Sequence, residues 1–177
     1  MSAVKTLKLP ANISLFMKDS ILLFKKDQVQ MCVQLPDDLV FHKNGSILVL
    51  ALRNETTEGQ SKILLGTWMN ILSNILYGLS RGFHTNLLLS GVGFRAQKKD
   101  NTVEFKLGYS HLVNLDVDPN VKLDIYKNTS LHLQGVSKEQ VGNYAARIKH
   151  LRLPDSYKGK GIRARGENLR LKEGKKT

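Results

Sequence analysis

The chain has a single cysteine, Cys32, in 177 residues. One thiol excludes an internal disulfide and any cysteine-rich zinc site. Set between Met31 and Val33, it reads as a small structural residue of a strand. Acids are scarce, 15 against 27 Lys and Arg, which leaves a net charge of +12. No apolar run reaches the roughly 18 uninterrupted residues that a membrane span needs. The strongest, Ile63 to Leu79, is broken by Thr67, Asn70, Ser73 and Asn74 and reads as a buried helix with one polar stripe. Met1 to Thr6 shows neither an apolar h-region nor the Arg-rich amphipathic pattern of a transit peptide. A soluble intracellular protein with no membrane contact is the expectation. His42, His84, His111, His132 and His150 have no metal-ligand spacing, and no Gly-x-Ser-x-Gly elbow occurs. No metal, no cofactor and no catalytic group is expected, so the chain is not read as an enzyme.

What is present is hydrophobic residue enough for real cores, 41 % of the chain. The length suits one large domain or two small ones of about 75 to 80 residues. An internal repeat favours two. Lys43-Asn44-Gly45-Ser46-Ile47-Leu48-Val49 lines up with Lys127-Asn128-Thr129-Ser130-Leu131-His132-Leu133, and Leu39 and Phe41 match Leu123 and Ile125. Farther on, Leu65-Gly66-Thr67-Trp68 matches Val141-Gly142-Asn143-Tyr144, after a longer loop around Arg53 to Gln60 in the first copy.

Within each copy, apolar and polar residues alternate with period two, as in Val103, Phe105 and Leu107 or Val121, Leu123 and Ile125. That is the pattern of antiparallel sheet with one wet face. A helix follows. The second starts at a Ser137-x-x-Gln140 capping box, carries Val141, Tyr144, Ala145, Ile148 and Leu151 on one face, and stops before Pro154. The first is expected to pack Leu64, Trp68, Ile71, Leu72, Ile75 and Leu79. The predicted fold is α+β: two tandem homologous domains, each a small antiparallel sheet packed on one helix, plus a basic C-terminal tail. The boundaries fall at residues 1–81, 82–154 and 155–177.

That tail holds the densest charge. From Arg152 onward, Arg152, Lys158, Lys160, Arg163, Arg165, Arg170, Lys172, Lys175 and Lys176 face three acids, Asp155, Glu167 and Glu173. Its apolar residues, Leu153, Tyr157, Ile162, Leu169 and Leu171, are too sparse for a core of their own, and glycines including Gly159 and Gly161 keep it loose. Such a segment needs an anionic partner, and nucleic-acid phosphate is the usual one. Tyr157 can stack or hydrogen-bond on RNA, or pack on its own domain. Gly91-x-Gly93-x-x-Ala96 formally matches a dinucleotide fingerprint. That mechanism needs a helix next, whereas Gln97 to Thr102 reads as a hairpin turn leading into a strand.

Pro154-Asp155-Ser156-Tyr157-Lys158-Gly159-Lys160-Gly161-Ile162 resembles the signature of the bacterial-type large-subunit ribosomal protein six family. Gly91-Val92-Gly93-Phe94-Arg95-Ala96 and Leu107-Gly108-Tyr109-Ser110-His111 resemble further family blocks in family order. The chain departs from the family at Phe24 to Gln28, where a glycine-bearing hairpin turn is usual. The resemblance implies binding to large-subunit ribosomal RNA, with neighbouring ribosomal proteins and passing translational GTPases near the sarcin–ricin loop and stalk base. It makes Arg95, Lys98 and Lys99 candidate phosphate contacts beside the tail cations, with Gly159 and Gly161 letting backbone amides come close to the RNA. It fits a bacterial cytoplasm or an organelle, mitochondrion or plastid, with the mitochondrion slightly favoured. A free-standing RNA-binding regulator is the alternative.

Overall fold

A computed structural model describes residues 4–18, 20–53 and 58–174. They form two compact units, Met1–Gly82 and Phe83–Thr177. In the first, β1 (Val4–Lys8), β5 (Leu39–Asn44) and β6 (Ile47–Leu52) make one antiparallel sheet in the order β1-β6-β5. A second sheet is the meander of β2 (Ser14–Lys18), β3 (Ile21–Lys26) and β4 (Val29–Gln34). Helix α1 (Glu58–Arg81) lies on β1, β3 and β6. In the second unit, β7 (Phe83–Ser90), β11 (Val121–Tyr126), β12 (Ser130–Gly135) and β13 (Gly161–Ala164) are ordered β11-β12-β7-β13. There β8 (Arg95–Lys99), β9 (Thr102–Lys106) and β10 (Val113–Asp116) form the other sheet, and α2 (Lys138–Leu151) packs on β7, β12 and β13. The architecture is α+β with two sheet-rich halves, and each half has two sheets where one was expected.

Alternation explains the second core. Leu123, Leu131, Leu133, Leu87 and Ile162 from the four-stranded sheet meet Val103 and Phe105 from the three-stranded one, with Val141, Tyr144 and Ile148 of α2 closing the cluster. Helix α2 begins where the capping pattern put it, with Ser137 Oγ accepting from the Gln140 amide at 3.4 Å. In α1 the buried apolar side chains among the described residues are Leu65, Leu72, Ile75, Leu76 and Leu79. Leu64, Trp68 and Ile71 are only half-buried. Ile63–Arg81 is long and apolar enough to cross a membrane by length and composition, but its buried stripe is covered by strands of its own unit.

The repeat needs a one-residue correction. In the first unit Asn44 pairs with Ile47 across a two-residue turn, whereas in the second Tyr126 pairs with Ser130 across three residues. Leu48 and Leu50 therefore correspond to Leu131 and Leu133, all buried. A sequence alignment without the gap sets buried Leu48 against His132, on the wet face, because a slip of one residue exchanges the faces of a strand. The departure at the first hairpin resolves simply: Asp27 occupies the left-handed region with φ of 52°. Asp is one of the few residues other than glycine to adopt it readily.

Tyr144 is 1 % exposed, and its hydroxyl finds no hydrogen-bond partner among the described residues. Burial pushes its pKa up to about 12. A buried hydroxyl without a partner costs free energy that a phenyl ring does not. Tyr144→Phe is therefore expected to raise stability by about 1 kcal/mol in a denaturant titration. A loss of similar size would show that the hydroxyl is satisfied after all.

Candidate nucleic-acid interface

From sequence, residues 155–177 read as a loose tail. Through Lys172, instead, they are largely built into the second unit. Gly161–Ala164 is the edge strand β13, pairing Gly161 with Ser90 and Ala164 with Leu87. Ile162, one of the residues judged too sparse to make a core, is fully buried among residues of the sheets and helix. It needed no core of its own because β7 offered an unpaired edge over an existing one. At Gly161, φ is 149°, and an added Cβ would lie 2.5 Å from Pro154 Cα and 2.7 Å from Leu153 O. This glycine lets the chain leaving α2 cross tightly over the strand that follows.

The loop between them is held by Asp155. Its carboxylate accepts from the amides of Tyr157 at 3.1 Å and Lys158 at 3.3 Å. Its own amide donates to Lys160 O at 2.8 Å, and its carbonyl accepts from Gly159 N at 2.9 Å. Gly159 turns at a φ of 67°, with Leu169 and Leu171 packed against it. The Lys172 amide donates to Ser156 O at 2.9 Å. Tyr157, Lys158 and Lys160 thus project from a fixed loop, and all three are exposed.

Two further attachments hold the site. Glu167 pairs with Lys149 of α2 and accepts from the Ala164 amide at 3.0 Å. The Lys149 hydrogen bond, then the amide, hold its carboxyl below the usual range. The Arg152 guanidinium sits 4.9 Å from the ring centroid of Tyr109, whose hydroxyl donates to Leu151 O at 3.0 Å. The Gly91–Phe94 loop is adjacent: a Cβ on Gly91 would meet the Phe94 ring at 2.9 Å, and one on Gly108 at 3.3 Å. Here the glycines serve close approach within the protein. The strand β8 after Arg95 leaves no helix N-terminus for a dinucleotide pyrophosphate.

Not every expected cation joins this cluster. Arg95, Lys98 and Lys99 lie on β8, in the other sheet, and Lys99 is paired with Glu104 at 2.7 Å. Arg163 and Arg165 are on or just past β13, while Arg170 and Lys172 follow the returning chain. Among the described residues, no ion pair uses Lys158, Lys160, Arg165, Arg170 or Lys172. Lys175 and Lys176 fall outside the described residues. Sequence reasoning missed Asp155, Glu167 and Tyr109 as organisers. Asp155 was legible, because an aspartate two residues before a turn commonly caps it with its carboxylate.

Two outcomes follow from this geometry. Gly161→Ala is expected to destabilise by more than about 2 kcal/mol in thermal or denaturant unfolding, because the added methyl meets backbone. The Glu167 carboxyl is lowered on folding, so its stabilisation is present above the ordinary carboxyl pKa and is lost as pH falls through the folded value. Glu167→Gln should cost up to about 1 kcal/mol at neutral pH. That deficit should vanish in acid, which a pair of pH–stability curves checks.

A sequence comparison covers this same region: the family model described as Ribosomal protein L6 matches residues 90–165. The large ribosomal subunit protein uL6 of Mycoplasmoides gallisepticum is 34 % identical over 171 residues, 97 % of this chain and 93 % of that one. The uL6 of Fusobacterium nucleatum is 32 % identical over 173 residues, 98 % and 97 % of the two chains. The protein uL6m of Reclinomonas americana is 34 % identical over 178 residues, 97 % and 96 %. With relatives matched along nearly their whole length, and the built loop and β13 inside the family model, the chain belongs to the ribosomal protein L6 family.

Proposed function

We propose that the second unit docks on large-subunit ribosomal RNA through the Asp155–Lys160 loop, β13 and the chain that returns past them. Family membership makes this a non-enzymatic structural protein of the large ribosomal subunit, partnered by ribosomal RNA and ribosomal proteins. The observation that carries the finer reading is that a loop held by its own hydrogen bonds presents Lys158 and Lys160, which form no ion pair among the described residues. Holding them in place before binding removes part of the ordering cost that a flexible tail would incur.

In this reading Lys158, Lys160, Arg163, Arg165, Arg170 and Lys172 neutralise phosphates, with Lys175 and Lys176 continuing the series. Tyr157, 59 % exposed, is free to stack. The Tyr157 and Lys158 amides are occupied by Asp155, so the loop acts through side-chain charge more than backbone donors. Phosphate and shape suit a folded RNA whose A-form grooves hide base edges. Arg152 flanks the contact; Arg95, Lys98 and Lys99 make a separate one on β8. The family resemblance further suggests a place near the sarcin–ricin loop and stalk base, where translational GTPases engage. Relatives named uL6 and uL6m match equally well, in keeping with a bacterial ribosome or an organellar one.

Each phosphate contact releases counterions, so log affinity falls linearly with log salt. Lys158→Gln and Lys160→Gln are each expected to reduce that slope by about one. Filter binding of the full chain to large-subunit RNA between roughly 50 and 200 mM salt measures it. Sedimentation of the chain with large subunits is the companion test. A slope unchanged in both variants would refute the loop's role, and a protein remaining at the top of the gradient would favour a free-standing RNA-binding regulator.

A further inference from the structure

The helix-packed face of the four-stranded sheet is filled by core residues, but the opposite face carries a different set. Register places Tyr126, Ser130, Leu88 and Arg163 in one row across β11, β12, β7 and β13. Asp124, His132 and Asn86 form the next row, and Arg165 extends it, its amide donating to Asn86 O at 2.8 Å. Strand alternation points these side chains away from Leu123, Leu131, Leu87 and Ile162, which are buried. The two rows enclose a shallow depression lined by Asn86, Leu88, Tyr126, Ser130, His132 and Arg165.

The chemistry of this face is unusual for a wet one. Tyr126 is 59 % exposed and presents its ring at the rim. The His132 Nδ1 is hydrogen-bonded to Asn86 Oδ1. Because an amide oxygen only accepts, Nδ1 is the donor in this bond. The His84 ring lies 6.1 Å from that of His132. The face's acid, Asp124, is balanced by Lys122 on its own strand at 3.7 Å. Arg163 and Arg165 therefore set the sign of the field. Aliphatic surface is small, with Leu88 half-buried, so little is offered to an apolar protein segment.

We infer that this face is a second RNA contact, which takes an unpaired nucleotide. Its base stacks on Tyr126 over the depression, and its phosphate meets Arg163 or Arg165. The inference rests on the reading that the chain docks on ribosomal RNA, but it uses a different surface and a different interaction. Stacking on an exposed ring suits any base with a free π-face. The Asn86–His132 pair adds polar groups at the floor that can hydrogen-bond a base edge. The face also adjoins the basic loop, because Lys160 leads directly into Gly161, which pairs with Ser90 one row along the strands from Arg163 and Leu88.

The test uses the full chain bound to a large-subunit RNA transcript, probed with a base-modifying reagent such as dimethyl sulfate. Wild type is expected to protect one or a few unpaired bases that Tyr126→Ala leaves reactive, and Tyr126→Phe, which keeps the ring, to restore the protection. Tyr126→Ala should bind about tenfold more weakly with the salt slope of wild type, since the ring neutralises no phosphate. A melting curve confirms that the variants fold, as expected for an exposed position. If Tyr126→Ala keeps full protection and affinity while Lys158→Gln still lowers the salt slope, the sheet face is idle and the loop reading stands alone. If wild type does not bind the transcript at all, both fall.

Discussion

The second unit turns on one close approach, the backbone of Leu153 and Pro154 against Gly161. A helix that ends at Leu151 is followed, after the loop of residues 152–160, by the strand that starts at Gly161, and nothing with a Cβ fits where the chain crosses itself. Once Gly161 permits the crossing, β13 pairs with β7 and Ile162 enters the core. Burying that one side chain contributes on the order of 2 kcal/mol. The basic loop, the Glu167 anchor and the placement of Arg163 and Arg165 all follow from that pairing.

The site is thus a device for holding positive charge still. Lysines and arginines repel one another, and a chain rich in them does not fold back without fixed points. Asp155, Glu167 and the face of Tyr109 supply those points, each bound to a backbone amide, an ammonium or a guanidinium. Two of the three tail acids that read from composition as small reductions in net charge, Asp155 and Glu167, are structural clasps. Their carboxylates are occupied from within, and most of the surrounding cations form no ion pair among the described residues.

Much of this was legible in the sequence, for identifiable reasons. Period-two alternation in β9 and β11 and the Ser137 cap report local physics, and both elements form as the pattern says. The doubled plan was visible because the same turn residues recur, yet the alignment through the turn hid a one-residue difference that exchanges strand faces. Counting apolar residues in the tail failed because it assumed that the segment must build its own core. A strand that joins an existing sheet needs only one buried side chain, and Ile162 is that residue. Pairing of Lys149 with Glu167, or of Arg152 with Tyr109, depends on distant segments meeting, which no local pattern encodes.

The added strand has no counterpart in the first unit, where β1 ends its sheet and, among the described residues, no further strand lies beside it. An open edge of this kind can template pairing with another chain. Register puts Lys5 of β1 opposite Leu50, on the side that faces the core, and its Nζ lies 3.8 Å from where a Cβ on Gly66 of α1 would stand. A lysine on an edge strand, exposed as Lys5 is, makes sheet-to-sheet addition costly, since a partner strand would crowd its ammonium away from water. Two copies meeting edge to edge would each confront the other's Lys5. Edge-to-edge pairing of this strand is in this way disfavoured.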